Sequence, residues 1–273
     1  VEVLDGKIYF VGGYITSAKN TVERYDPETN TWETLNSLSQ PRTGVATAVM
    51  NGKLYAIGGA GLSSVEIYDP SEGTWSTGIA LPNVIRHGNA VTANGKIYLF
   101  GGRNDTGDDL NTIYEFDPVL NYWSSKTNMP FFMEALQTVL FQDRIWIISG
   151  RNGETTLSAV LSYDIVKDNW QEENSLNEPR FWPTTWVYRN EIFLAGGRLN
   201  GTVFSNSINY FEPTTSRWLS LGNLPENKFG SSSVILNEKV YVIAGHNGSS
   251  FSNKIYAADL NASVAGVYDL YRK

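Results

Sequence analysis

The chain has 273 residues, no cysteine, two histidines and a formal charge of −7. Without cysteine there is no disulfide framework and no thiolate metal site, and His87 and His246 alone cannot build a multi-histidine copper or zinc centre. The acidic balance argues against nucleic-acid binding, which needs clustered Lys and Arg, and no stretch approaches the ~20 apolar residues of a membrane helix.

In chain order, Val1 to Leu4 match only the second half of a first strand, so the chain reads as excised from a longer protein. No charged-then-apolar leader precedes them. Asp5-Gly6 is a hairpin turn, and the apolar run behind it closes at Gly12-Gly13. The second copy shows the unit most plainly. Val45 to Met50 is a first strand, and Asn51-Gly52 supplies the positive-φ pair of a type I′ turn. Leu54 to Ile57 is a second strand that stops at Gly58-Gly59. Val65 to Tyr68 is a third, ended by Asp69-Pro70, and Trp75 opens a short fourth. The hairpin signal returns at Asn94-Gly95 and, more weakly, at Gln142-Asp143, Arg189-Asn190 and Asn237-Glu238.

The glycine step recurs at Gly101-Gly102, Ser149-Gly150, Gly196-Gly197 and Ala244-Gly245, a spacing of 43 to 48 residues. The acidic turn falls at Asp26, Asp69, Asp117, Asp164, Glu212 and Asp259. A Trp follows at Trp32, Trp75, Trp123, Trp170 and Trp218, with Ala265 in the sixth copy. Second strands such as Ile97 to Phe100 and Ile145 to Ile148 are apolar at successive positions, as in a sheet covered on both faces. Six such units use the whole length, so residues 1–273 read as one all-β domain, a six-bladed β-propeller of four-stranded antiparallel blades. Tyr268 to Tyr271 read as the last outer strand or as the start of a further segment.

The Gly pair, the Tyr-Asp-Pro and the Trp, in this order, resemble the kelch repeat over nearly the whole chain; Val22-Glu23-Arg24-Tyr25-Asp26-Pro27 with Trp32 is near its consensus. The resemblance implies a six-bladed kelch β-propeller. Copy four departs with Ser149 and Ile165, copy six with Ala244 and Ala265. Galactose oxidase resembles this architecture too, but its Tyr-Cys cross-link has no Cys here.

An antiparallel meander puts the residue after the glycine pair and the start of strand one on one face, with the longer loops, such as Gly102 to Asn111 and Gly197 to Ser207. Loops on a rigid scaffold are where binding usually resides. After the glycine step come Tyr14, Ala60, Arg103, Arg151, Arg198 and His246. Strand one starts with Arg42, Arg86-His87, Glu134, Arg180 and Lys228. Planar guanidinium groups suit carboxylates and phosphates; the competing reading is that each Arg ties neighbouring loops together. The repeat tryptophans are expected to pack between blades, and the turn Asp to form turns. Phe181, Trp182 and Trp186 add bulk to the fifth first strand, either plugging a central channel or forming an aromatic platform for a sugar ring or peptide side chain. Phe131-Phe132 and Phe229 add more.

No His-Glu-x-x-His, P-loop, Gly-x-Ser-x-Gly or dinucleotide fingerprint is present. Asn104 to Asp109 is acidic but lacks EF-hand spacing and reads as a solvated loop. Asn104, Asn200, Asn247 and Asn261 head Asn-x-Ser/Thr triplets that do not locate the chain. No catalytic residue, metal or cofactor is expected. The first functional reading is a non-catalytic recognition module, expected to be a monomer, that binds a protein segment, acidic peptide or acidic glycan. Kelch propellers of the ubiquitin-ligase adaptor type are similar, and their acid-gripping arginines correspond to Arg42, Arg103, Arg151, Arg180 and Arg198; no BTB-like helical region lies within these residues. The second reading is an enzyme or lectin acting on acidic sugars, because the bacterial N-acetylneuraminate epimerase is also a six-bladed kelch propeller. There Glu134 would move a proton while Arg86 or Arg180 holds a carboxylate. The compartment is open between a soluble protein and a secreted or cell-surface part of a longer bacterial one.

Overall fold

Alternation of apolar runs with positive-φ turns gives hairpins, and hairpins repeated in order give blades. The computed structural model describes residues 1–261 and 269–271; Ala265 lies outside them. Every regular element among them is a strand, and the fold is an all-β six-bladed β-propeller. Each blade is an antiparallel sheet whose strands pair in chain order. In blade two these are Ala46–Met50, Lys53–Ile57, Val65–Asp69 and Thr74–Thr77. Blade one opens with the short Glu2–Leu4, and in blade six Asp269–Tyr271 pairs with Ile255–Asp259, so the last outer strand is formed.

All six predicted first hairpins have positive φ at both turn residues, including Gln142-Asp143 (49° and 60°) and Arg189-Asn190 (47° and 61°), which carry no glycine. The turn Asp carboxylates accept backbone N–H groups, as Asp117 does from Val119 and Leu120.

Two compact units divide the chain, Val1–Glu134 and Ala135–Lys273, with three blades in each. In the first, apolar layers lie between blades one and two (Tyr9, Val22, Leu54, Tyr68) and between blades two and three (Ile57, Val65, Ile97, Phe116). In the second they lie between blades four and five (Trp146, Ile148, Ile192, Phe211) and between five and six (Trp186, Phe193, Val240, Tyr256). A middle strand faces a layer on each side, which is why its residues are apolar in succession.

The glycine step has a steric cause. The second glycine donates its N–H to the carbonyl at the entry of the next blade, as Gly59 does to Ile85 (2.9 Å) and Gly197 to Lys228 (2.7 Å). A Cβ on the first glycine would come within 2.4 Å of the Ile85 carbonyl oxygen at Gly58 and 2.2 Å of that of Lys228 at Gly196. Blades four and six carry Ser149 and Ala244 there at φ 54° and 56°.

Three repeat tryptophans lock blade to blade as expected. Trp75, Trp123 and Trp218 donate Nε1–H to Asn36, Ile79 and Asn174, each in the connection leaving the preceding blade. Trp32 is 48% exposed and packs within blade one on Phe10 and Tyr25, with ring centres 4.8 and 5.0 Å away. Trp186 neither plugs a channel nor forms a platform. It is buried between blades five and six, parallel to Phe193 with ring centres 5.4 Å apart.

Candidate functional site

Each blade entry has three consecutive positions with distinct environments. The first is buried and holds Arg42, Ile85, Met133, Arg180 and Lys228, none more than 3% exposed. The second holds Thr43, Arg86, Glu134, Phe181 and Phe229. The third has positive φ and holds Gly44, His87, Ala135, Trp182 and Gly230. Arg86 and Glu134 are therefore not equivalents of Arg42 and Arg180 but sit one residue later. That offset is invisible without the backbone register.

The first position corrects two expectations. Arg42 and Arg180 were expected at the loop face, but both are inside their blades. All five N–H donors of Arg42 are used, on Glu66, the Gly58 and Ser64 carbonyls and the Ser64 hydroxyl. Arg180 donates to the Gly196 carbonyl, Ser207 Oγ and Glu178. Lys228 does the same in blade six, to the Ala244 carbonyl and Ser252 Oγ. These cations tie the glycine step to the third strand.

Post-glycine residues meet the second position through paired backbone bonds: Arg103 with Arg86, Arg198 with Phe181, His246 with Phe229. Within each blade the two thus share one end, as the meander required.

In the first unit this end carries charge. Glu134 is fully buried; its Oε2 lies 2.7 Å from His87 Nδ1 and its Oε1 lies 3.5 Å from Arg103 Nη1. Arg103 Nε also binds Asp109 at 2.8 Å. Gly44 makes room, since a Cβ there would fall 2.2 Å from His87 Cδ2. Arg86 is partly buried, with Nε unpartnered among the described residues. Tyr14 is 52% exposed on the blade-one loop.

In the second unit cations stack on rings. The Arg151 guanidinium carbon lies 5.1 Å from the centre of Phe181 and 5.7 Å from that of Trp182. Arg198 lies 5.6 Å from Phe181 and 5.5 Å from Phe204. Phe204 stacks on Phe229 at 4.9 Å, Phe229 meets His246 at 5.1 Å, and His246 meets Phe251 edge-on at 5.0 Å. His246 Nδ1 accepts the Gly248 N–H, so the neutral ring carries its proton on Nε2. Two elements place these groups. Arg151 ends a long hairpin of Arg144–Asn152 and Thr155–Asp164. Arg198 and Phe204 face each other in a small hairpin, Arg198–Asn200 and Val203–Phe204, where sequence reading expected an irregular loop. Phe204 and Phe251 carried no sequence signal, because they lie outside the repeat.

Trp182 is singular. Its φ is 49°, uncommon for a non-glycine residue and an outlier for a bulky one. Its N–H donates to the Ala135 carbonyl, and its carbonyl accepts the Gly230 N–H, so the conformation is held from both sides.

A family model for the KLHDC2/KLHL20/DRC7 kelch-repeats domain matches residues 1–197, and one for the kelch motif matches 228–257. The chain belongs to the kelch-repeat family. Among curated relatives of this kelch propeller, Kelch-like protein 35 of Mus musculus is 28% identical over 78% of the chain and 29% of that protein. Kelch-like protein 26 of Danio rerio is 25% identical over 90% of the chain and 35% of that protein. Kelch repeat and BTB domain-containing protein 1 of cowpox virus (strain GRI-90 / Grishak) is 29% identical over 82% and 33%. The chain spans about a third of the length of these relatives. The solved structure of YjhT superposes with a TM-score of 0.83 at 17% identity, over 99% of this chain and 95% of that one, a likeness of fold. No helix among the described residues is long and apolar enough to cross a membrane.

Proposed function

We propose that this kelch propeller is a non-catalytic recognition module that takes a protein segment or an acidic polymer at the glycine-step end of its blades. The observation that supports it most is the group in the second unit, where Arg151 and Arg198 both lie over Phe181 beside the partly exposed Trp182 and Phe204. Binding hot spots are enriched in Trp, Tyr and Arg. Trp182 adds a second support. Its left-handed backbone costs about 1 kcal/mol or more, while blades two and six place Gly44 and Gly230 at the same position. Blades three and four carry His87 and Ala135 there at similar φ, and Trp182 is the bulkiest side chain held at that cost, which supports a role for its ring.

The test is a peptide and glycan array probed with the full chain, then calorimetry of the best hit at two ionic strengths. Binding to an anionic ligand should weaken with salt. Joint replacement of Arg151 and Arg198 by Ala should cost tenfold or more in affinity, with Lys recovering only part. Trp182→Gly should lower affinity without lowering the Tm. Unchanged affinity in both variants would leave the arginines as mere loop ties.

The second reading, an enzyme or lectin on acidic sugars, has one observation in its favour, the contact of His87 with buried Glu134. There His87, the more accessible member, would exchange the proton and Glu134 would position it. NMR of N-acetylneuraminate anomer exchange with and without the chain tests it, and a rate equal to buffer ends it.

A further inference from the structure

The buried cations of blades two and five differ in one respect. In blade two, Glu66 Oε1 accepts from Arg42 Nε at 3.2 Å and Nη2 at 3.0 Å, and its Oε2 accepts the Ser39 N–H at 2.8 Å. Blade five repeats the frame: Arg180 for Arg42, Asn177 for Ser39, Ser207 for Ser64. The register fixes these equivalences, since Ile57 pairs with Val65 as Ala195 pairs with Ile208. The residue in place of Glu66 is Asn209, neutral and shorter by one methylene.

At that place the second unit has a cavity of about 170 Å³, lined by Leu176, Asn177, Arg180, Ser207, Asn209 and Trp218, with half-exposed Glu178 also on its wall. Arg180 is 2% exposed, and its Nε has no partner among the described residues. Glu178 reaches Nη2 at 3.2 Å. Burial pushes the guanidinium pKa down, and Glu178 only partly opposes it. An unpaired donor on a buried cation is costly, and the repeat itself shows which group satisfies it.

We propose that this cavity binds a carboxylate group, from a small organic acid or an acidic peptide side chain, held by Arg180 Nε and the Asn177 N–H as Glu66 is held in blade two. The inference is independent of the loop-end reading, because it uses a different cavity and a buried cation.

Thermal unfolding of the full chain in sodium acetate, against sodium chloride at equal ionic strength, tests it, since a ligand that binds only the folded state raises Tm by mass action. Acetate should raise the wild-type Tm by several degrees beyond chloride. Asn209→Glu, which supplies its own carboxylate, should raise Tm unaided and abolish the acetate increment. N-acetylglutamate amide, with N-acetylglutamine amide as neutral control, separates the sources: a response to it alone indicates a peptide side chain, a response to acetate alone a small acid. Should Asn209→Glu not fold, saturation-transfer NMR of acetate on the wild-type chain decides, with Asn209→Gln as the filled, uncharged control. No wild-type response to either acetate or N-acetylglutamate amide, or an equal response in Asn209→Glu, overturns the site and leaves the cavity to water.

Discussion

Arg42→Met removes the most completely engaged side chain of the first unit. The guanidinium is fully buried, its partner Glu66 has 8% of its side chain exposed, and five hydrogen bonds vanish together. Removing one member of a buried ion pair typically costs 3–5 kcal/mol, because the remaining charge stays buried without compensation. The Gly58 carbonyl and the Ser64 hydroxyl lose their donors as well, which places the expected loss at the upper end, about 4–5 kcal/mol. The double variant Arg42→Met/Glu66→Leu removes both charges and leaves only neutral groups, the Gly58 carbonyl, the Ser64 hydroxyl and the Ser39 N–H, without those partners, so it should cost clearly less, about 1–3 kcal/mol. Arg42→Lys should fall between, since Lys228 fills this position in blade six with contacts to one carbonyl, one hydroxyl and the Glu226 carboxylate. Urea unfolding by linear extrapolation reads these differences directly. A loss below about 1 kcal/mol for Arg42→Met, or a double variant no more stable than the single, would refute the claim that the cation is the tie.

Two further outcomes follow from charge placement. A cation at the start of the second strand pairs with the turn Asp in blades one to four: Lys7 with Asp26, Lys53 with Asp69, Lys96 with Asp117, Arg144 with Asp164. Blade five instead has Glu191 near Glu212, and burial together with that like charge raises the Glu191 pKa. A raised carboxyl pKa disfavours folding above it, so Glu191→Lys should stabilise by about 0.5–1 kcal/mol at pH 7, as exposed pairs do. Its advantage in Tm should shrink as acid protonates Glu191 in the wild type. For Glu226, burial alone would raise the pKa, but hydrogen bonds from Tyr256, Lys228 and Lys254 hold it at about 2, below its ordinary 4.5. Its depressed pKa contributes stability that is present above 4.5 and lost as pH falls toward 2. Glu226→Gln should flatten that part of the acid-unfolding curve; an unaltered slope would show that the three donors do not stabilise the carboxylate.

The repeat is legible in the sequence because it is local. Turn residues need particular φ values, and a strand buried on both faces needs an unbroken apolar run. Asn51-Gly52, Asp117 and Ile145 to Ile148 therefore announce their roles within a few residues of themselves. Glycine close to a neighbouring backbone is legible for the same reason, as at Gly58. What the tertiary structure alone decided is where each cation points. Arg42, Arg180 and Arg198 read alike as arginines next to a loop. The first position of the blade entry turns Arg42 and Arg180 inward onto the glycine-step carbonyls, whereas the post-glycine position leaves Arg198 on the rings of Phe181 and Phe204. Loop residues outside the repeat, such as Phe204, Asp109 and Phe251, find their partners by chain return, and no spacing encodes that. The missing carboxylate at Asn209 is visible only once Glu66 is seen holding Arg42, because burial turns a single neutral substitution into an unpartnered donor on Arg180.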